Sequence, residues 1–161
     1  MLVWLIKDGE PLPIQADDRP MRIGMLAQAL ERHGHSVTWW SSTFRHGTKK
    51  LLFNSDQEIV ISPALRLKLV HAGAYTRNIS LKRYYHHHTL AKRFHEGLAE
   101  QYQEPDLIVC AFPEIALAYR AVEYARCRHI PIVVDVQDLW PETFLDAMPR
   151  VTRPLARLAL A

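Results

Sequence analysis

Apolar residues recur along the chain in short continuous runs, separated by segments in which they have helical spacing. Residues 2–6 are a continuous apolar run and predict a strand buried on both faces, as in parallel sheets. Three further strands are predicted: a β-branched and aromatic one at 36–40, a buried one at 105–112 and another at 130–136. Three segments predict helices: residues 21–35, 80–101 and 113–129. This alternation predicts an α/β fold, a Rossmann-like, doubly wound and mostly parallel sheet. Residues 58–72 interrupt it with two short runs that predict a pair of short strands or an antiparallel excursion.

Spacing within the predicted helices indicates which side chains share a face. In the first helix the apolar positions at helical spacing are Met21, Met25, Leu26 and Ala29. On a wheel of the second helix, one largely apolar face carries Leu81, Tyr84, Tyr85, His88, Ala91, Leu98 and Tyr102. The polar residues that fall opposite or beside this face are Lys82, Arg83, His86 and Arg93.

Length and composition place the chain among globular proteins. Its 161 residues suffice for about one domain, and 48% of them are hydrophobic and 23% charged. Two cysteines, Cys110 and Cys127, are expected to be small buried thiols in a reduced compartment, not part of a disulfide framework. No stretch approaches the roughly 18–20 apolar residues of a membrane span, so we expect a cytoplasmic protein.

The charge is concentrated in the middle of the chain. The net charge is only +3, but residues 45–100 contain ten Lys and Arg against four Asp and Glu. A basic segment favours an anionic partner: a membrane surface, a phosphate-bearing substrate or nucleic acid. The helix within it is therefore either a membrane-contacting surface or a merely solvated basic face, and the candidate contacts are Lys82, Arg83, His86 and Arg93. Three adjacent histidines cannot converge from one helix, so we predict no metal site.

Ligands of open parallel sheets bind outside the carboxyl ends of the strands, which directs attention to four stretches of the chain. They are residues 7–10, 41–43, 112–114 and 135–142. Gly9 is either an ordinary turn glycine or a point where a ligand approaches the backbone closely. A G-x-G-x-x-G fingerprint is absent, and we predict no cofactor.

The phrase DVQDLWPE follows the last predicted strand and concentrates polar and aromatic side chains. Val133–Val136 is predicted to be core, and for Asp135 we favour a structural acid bonded to nearby backbone. Gln137 and Asp138 are better candidates for ligand contact, because a carboxylate here can orient a hydroxyl or stabilise positive charge. Trp140 is either a packed corner or an aromatic wall for a sugar, and we favour the corner.

Two phrases resemble the N-terminal domain of family 4 glycosyltransferases. RHGHSVT at 32–38 is similar to the end of that domain's first helix, and IPIVVDVQDLWPE at 130–142 to a phrase of its later half. The family has the GT-B fold, two Rossmann-like domains facing a cleft. The resemblance implies a retaining, metal-independent transfer from a nucleotide-sugar donor to a lipid-linked or polysaccharide acceptor. It also implies bacterial capsule, O-antigen or exopolysaccharide synthesis, with possible contact with the inner face of the cytoplasmic membrane.

The resemblance further implies roles for single residues. Gly9 and Glu10 match a loop that nears the donor phosphate and the acceptor, and Asp138 matches a region that carries a catalytic residue. With the positional arguments above, we assign catalysis to Asp138 and substrate binding to Gly9, Glu10, Glu114, Gln137 and Trp140.

The same resemblance divides the chain into two parts. We expect residues 1–150 to form the acceptor-binding domain and residues 151–161 to begin a linker helix toward a C-terminal domain. The alternative is a non-catalytic Rossmann-like binding module or a partner subunit of a membrane glycosyltransferase. Nucleic-acid binding through the basic segment is the weakest hypothesis, and we predict no nucleic-acid partner.

Overall fold

The computed structural model describes residues 1–14, 19–99 and 101–137. The elements of this part are β1 Leu2–Ile6, α1 Arg22–Arg32, β2 Ser36–Ser42, β3 Phe44–Arg45, β4 Lys50–Leu51, β5 Gln57–Val60, β6 Leu65–Val70, α2 Leu81–Leu98, β7 Leu107–Phe112, α3 Ile115–Cys127 and β8 Ile132–Val136. The predicted domain boundary at residue 150 and the linker helix at 151–161 lie outside the described residues.

Six of the strands form one sheet in the order β5-β6-β2-β1-β7-β8. Strands β6, β2, β1, β7 and β8 run parallel, and β5 pairs antiparallel with β6. This confirms the predicted fold class and the antiparallel excursion at 58–72. From the central strand β1, the sheet extends through β2 and β6 on one side and through β7 and β8 on the other. The topological switch point, where open sheets bind ligands, therefore lies at the carboxyl ends of β1 and β7.

The central strands are buried on both faces, which explains their continuous apolar runs. In β1, Trp4 and Ile6 belong to a core cluster that packs under α2 and α3. Val3 and Leu5 point the other way, into a second cluster beneath α1. Aromatic contacts tie the first cluster together, since the ring of Trp4 stacks on that of Tyr124 with centroids 5.6 Å apart.

Helix α1 packs on the sheet through small residues, which corrects the predicted face. Its buried residues are Ile23, Gly24 and Ala27, whereas Met21 and Met25 are 54% and 55% exposed. At Gly24 a Cβ atom would lie 3.8 Å from the Trp39 ring and 3.1 Å from Pro20. The missing side chain at Gly24 lets the helix lie close to the Trp39 ring, and Ile23 fills the core beside it.

The predicted face of α2 is also wrong in its first half. The buried stripe is His86, Leu90, Ala91, Phe94 and Leu98. Ala91 and Leu98 were predicted to share a face with Leu81, Tyr84, Tyr85, His88 and Tyr102, and these five are all exposed. Most buried positions are four residues apart, so they follow one row of the helix. The sequence wheel failed because it placed His86 opposite the apolar face, although this imidazole has a buried partner.

Two further predictions about burial are wrong. Val133, Val134 and Val136 were expected in the core but are 52%, 40% and 54% exposed. Within the described part of the chain β8 pairs with β7 on one side only, which leaves the strand at the edge of the sheet. Cys110 is buried in β7 as expected, but Cys127 is exposed at the last residue of α3.

Candidate functional site

Polar side chains converge at the carboxyl ends of β1, β2 and β7. Lys7 and Asp8 follow β1 directly, and their exposed fractions are only 7% and 3%. Ser42 ends β2, and Glu114 lies between β7 and α3. Burying polar or charged groups costs free energy unless they are paired, so the partners of these residues define the site.

Asp8 forms a buried ion pair with His86 of α2. Nε2 of His86 lies 3.3 Å from Oδ2 of Asp8, and Nδ1 lies 3.0 Å from the carbonyl oxygen of Gly73. Both ring nitrogens thus face acceptors, an arrangement that the doubly protonated imidazolium satisfies. The other Asp8 oxygen accepts from the Ser42 amide at 3.2 Å and its hydroxyl at 2.6 Å.

The charge state of Asp8 follows from these contacts. Burial alone raises the pKa of a carboxyl, but the hydrogen bond and charge of His86 and the Ser42 hydroxyl lower the pKa of Asp8 below its ordinary value. Both side chains are nearly inaccessible, since Asp8 is 3% and His86 2% exposed, and each ring nitrogen of His86 already faces an acceptor. The pair therefore positions the end of β1 and does not itself act as an acid or base.

Lys7 and Glu114 form a second buried pair across the switch point. The Nζ atom of Lys7 lies 3.1 Å from each carboxylate oxygen of Glu114, and the side chains are 8% and 12% exposed. Burial raises the pKa of Glu114, and the Lys7 charge opposes that rise. The predicted substrate-binding residue Glu114 thus lies in the site, with both oxygens bonded to Lys7.

Tyr75 forms an outer wall of the site together with a histidine and two cations. Its ring is 2% exposed, and its hydroxyl lies 2.6 Å from Nδ1 of His46. Burial raises the pKa of Tyr75 to about 12, so the hydroxyl stays protonated and donates to His46. The Lys49 ammonium lies 4.9 Å from the ring centroid and the Arg83 guanidinium 5.9 Å from it.

The imidazoles of this wall are held in the neutral form. Burial, followed by the charges of Lys49 and Arg83, lowers the pKa of His46. Burial lowers the pKa of His87 to about 4, against the opposing charge of Asp8. Nε2 of His87 accepts from Nε of Arg83 at 3.1 Å, so the ring proton lies on Nδ1. That Nδ1 is buried and has no partner among the described residues.

Gly9 and Glu10, two predicted substrate-binding residues, lie at the rim of the site. Gly9 has φ +83°, a left-handed conformation that favours glycine, and a Cβ there would lie 3.7 Å from Cβ of His46. Oε2 of Glu10 accepts from the amides of Ile23 at 3.0 Å and Gly24 at 3.4 Å. Glu10 thus caps the first turn of α1, where a carboxylate is favourable, and its contact with substrate stays a prediction.

The end of β8 lies farther out at the same edge. Asp135 pairs with Arg22 at 2.7 Å, so its partner is a side chain of α1 and not the nearby backbone that we predicted. Gln137 donates to the other Asp135 oxygen at 3.1 Å. Asp138 and Trp140 lie outside the described residues, and their roles stay predictions.

The four candidate membrane contacts do not share one exposed face. Lys82 is exposed, whereas Arg83 turns into the site and His86 is buried, which contradicts its predicted place on the polar side of α2. Arg93 pairs with Asp56 at 2.9 Å and donates to the His71 carbonyl at 2.6 Å. No helix in the described ranges is long and apolar enough to cross a membrane.

A groove of about 930 Å³ lies at the opposite edge of the sheet, beside the amino ends of the strands. Its charged residues are paired, since Glu58 lies 2.5 Å from Arg66 and 3.5 Å from Lys68. Ligands of open α/β sheets bind at the carboxyl edge. We therefore assign the candidate site to the carboxyl edge.

The sequence-based prediction missed several residues of the site: Asp8, His46, Lys49, Tyr75 and His87. Asp8 carried a usable signal, because a charged residue directly after a buried strand lies at the ligand-binding edge. His46, Lys49 and Tyr75 come from segments without hydrophobic period, His87 comes from the predicted helix at 80–101, and only the folded chain brings them together.

Comparison with known proteins supports the fold. No protein-family model and no curated protein matches the chain. The C-terminal domain of a hydrogenase from Pyrococcus furiosus aligns with a TM-score of 0.50 and 16% identity, over 84% of this chain and 91% of that one. A ugt transferase from Siraitia grosvenorii in complex with UDP aligns with a TM-score of 0.40 and 18% identity, over 82% of this chain and 27% of that one. At 16% identity the likeness to the hydrogenase domain bears on the Rossmann-like fold alone.

Proposed function

We propose that the chain is the N-terminal, acceptor-binding domain of a retaining glycosyltransferase. The transferase moves a sugar from a nucleotide-sugar donor to a lipid-linked or polysaccharide acceptor in bacterial capsule, O-antigen or exopolysaccharide synthesis. The observation that carries the proposal is the buried polar cluster at the switch point of the sheet. The strand that opens the phrase DVQDLWPE lies beside β7, so the phrase begins at this same edge.

The geometry suits the binding of a polar acceptor. The two buried ion pairs, Asp8–His86 and Lys7–Glu114, make a rigid floor that does not reorganise when a ligand arrives. A fixed floor supports transfer by holding an acceptor hydroxyl in a reactive orientation, which can supply a large part of a rate enhancement. Asp138 then serves as the group that stabilises positive charge in the transition state.

Contact with the inner face of the cytoplasmic membrane belongs to the proposal. Four large hydrophobic side chains at the start of α2 are exposed: Ile79 by 82%, Leu81 by 76%, Tyr84 by 58% and Tyr85 by 65%. They surround the exposed Lys82. An apolar and aromatic surface with an adjacent cation is typical of helices that rest on anionic membranes, so these side chains replace the buried His86 and the paired Arg93 as contacts.

A non-catalytic binding module, or a partner subunit of a membrane glycosyltransferase, is the second candidate. This candidate is favoured by the pairing of the four charged side chains of the floor. Lys7 bonds to Glu114, and His86 bonds to Asp8. A cluster of this kind can hold a ligand without exchanging a proton with it.

The distinguishing experiment is a transfer assay with the whole polypeptide that the gene encodes. Radiolabelled nucleotide sugars are incubated with a lipid-linked acceptor fraction, and label is measured in the lipid and polysaccharide products. We expect transfer, and a loss of about 10²–10³-fold in Asp138→Asn, as when one electrostatic contact to a transition state is removed. Glu96→Gln, which removes an exposed carboxylate of α2, should transfer normally. Label that stays in the donor with every nucleotide sugar would favour the binding module.

A further inference from the structure

We infer that Lys49 and Arg83 form a binding site for a phosphate group at the outer wall of the candidate site. Both cations are held by neutral partners. Lys49 donates to Oδ1 of Asn78 at 2.6 Å and lies 3.2 Å from Nδ1 of His46. Arg83 donates to the backbone oxygen of Asn78 at 2.8 Å and to His87 at 3.1 Å.

Eight other cations of the described ranges are instead held by ion pairs. Each of those has a carboxylate partner: Lys7, Arg22, Arg66, Lys68, Lys92, Arg93, Arg120 and Arg128. Lys49 and Arg83 have no carboxylate partner within the described residues. Their hydrogen bonds fix their positions, and no described carboxylate compensates their charges, which is the arrangement expected of an anion site.

The two cations also converge. Both lie against the ring of Tyr75, at 4.9 and 5.9 Å from its centroid, and both bond to Asn78. Their mutual repulsion is visible at Lys49, where burial and then the Arg83 charge lower the pKa. Lys49 has φ +57°, a left-handed conformation that costs free energy for a residue with a Cβ and recurs at ligand sites.

The available donors match phosphate oxygens. Nη2 of Arg83 has no partner in the described part of the chain, so the guanidinium keeps donors for a bidentate contact. Lys49 and Arg83 thus offer two positive charges that no carboxylate of the described ranges pairs with. A phosphate monoester carries about −1.5 to −2 charges at pH 7.

The inference rests on the proposed function in one respect, since it makes the bound group a phosphate of the acceptor. Such a phosphate belongs either to a small sugar phosphate or to a lipid headgroup. Binding can be measured without any donor or transfer. The two proposals can therefore fail separately: a chain that binds no phosphate can still prove to be a transferase, and a chain without transferase activity can still bind phosphate.

The test uses inorganic phosphate and pyrophosphate as probes, followed by NMR titration of the histidine side chains of the whole chain. We expect saturable binding of at least one probe and an upward shift of the pKa of His46 in its presence, because the anion offsets the Lys49 and Arg83 charges that lower it. Lys49→Gln and Arg83→Gln should each weaken binding at least tenfold. Lys92→Gln, which removes an exposed cation of α2, should change it less than twofold.

Two further arms complete the experiment. Lys49→Arg keeps the charge on an exposed turn and should restore most of the affinity, which separates anion binding from a folding defect.

Vesicles of phosphatidylcholine with and without phosphatidic acid distinguish the sources of phosphate. If the protein binds the vesicles and soluble phosphate competes with that binding, the ligand is a lipid headgroup. If it binds soluble phosphate but not the vesicles, the ligand is a small sugar phosphate. Equal binding by wild type and Lys49→Gln, or no shift of His46, would overturn the site.

Discussion

The imidazole of His86 lies 3.3 Å from the carboxylate of Asp8, 78 residues earlier in the chain, and both side chains are buried. This pair fastens helix α2 to the carboxyl ends of β1 and β2. It thereby fixes the loop of Gly9 and the outer wall around Tyr75, so the geometry of the whole candidate site depends on it.

Replacing His86 should destabilise the fold strongly. His86→Ala leaves the Asp8 carboxylate buried without its charged partner, and breaking such a pair costs about 3–5 kcal/mol. His88→Ala, an exposed histidine of the same helix, should change the free energy of unfolding by less than about 0.5 kcal/mol. Urea unfolding of both variants measures the difference, and equal small losses would show that the pair is not important for stability.

The pH dependence of stability should carry a signature of His87. Its pKa is about 4 in the folded protein and 6.5 ordinarily, so the unfolded chain binds more protons between these values. Stability should therefore be unaffected above about pH 6.5 and fall as the pH is lowered toward 4, by about 1–3 kcal/mol from this group. His87→Gln should flatten that slope, whereas His95→Gln, at an exposed position of the same helix, should preserve it. An unchanged slope in His87→Gln contradicts the assignment.

Much of the fold was predictable from the sequence because burial leaves a local pattern. Strands β1 and β7 lie between two helical layers, so every residue in them is apolar and their runs are visible. The face of α2 was not predictable, since the burial of His86 depends on Asp8, which lies far away in the chain. The exposure of Val133 and Val134 was not predictable either, because an apolar run does not indicate how many strands lie beside it in the sheet.

The candidate site was only partly predictable for a related reason. The rule that ligands bind at carboxyl ends directed attention to the edge where the buried polar cluster lies, and it included Glu114 and Gly9. The outer wall required Arg83 of α2 to meet His46 and Tyr75, which come from two segments without hydrophobic period. No local signal indicates that meeting.

Thiol chemistry should distinguish the two cysteines. Burial raises the pKa of Cys110 to about 12, so this thiol is shielded and protonated, whereas Cys127 is exposed at the end of α3. A maleimide should label one thiol per folded chain and two after denaturation. Cys127→Ser should abolish the labelling of the folded protein, while Cys110→Ala should leave it at one. Fast labelling of Cys110 in the native state is incompatible with the position of β7 in the sheet.

Membrane association should depend on the exposed start of α2. The double variant Leu81→Ser with Tyr85→Ser removes two large side chains and leaves Lys49 and Arg83 in place. Flotation with vesicles that contain phosphatidylglycerol should fall several-fold, and added salt should weaken it further because the cationic contribution is screened. Tyr119→Ser, which removes a 63% exposed tyrosine of α3, serves as the matched control. Equal flotation of both variants places the contact elsewhere.

The most direct test of the central claim is NMR of the anomeric proton while the polypeptide encoded by the gene acts on a nucleotide sugar and a lipid-linked acceptor. A retaining glycosyltransferase predicts that the first product has the same anomeric configuration as the sugar in the donor. A product with the inverted configuration, or no glycosylated product with any nucleotide sugar, would contradict the proposed function.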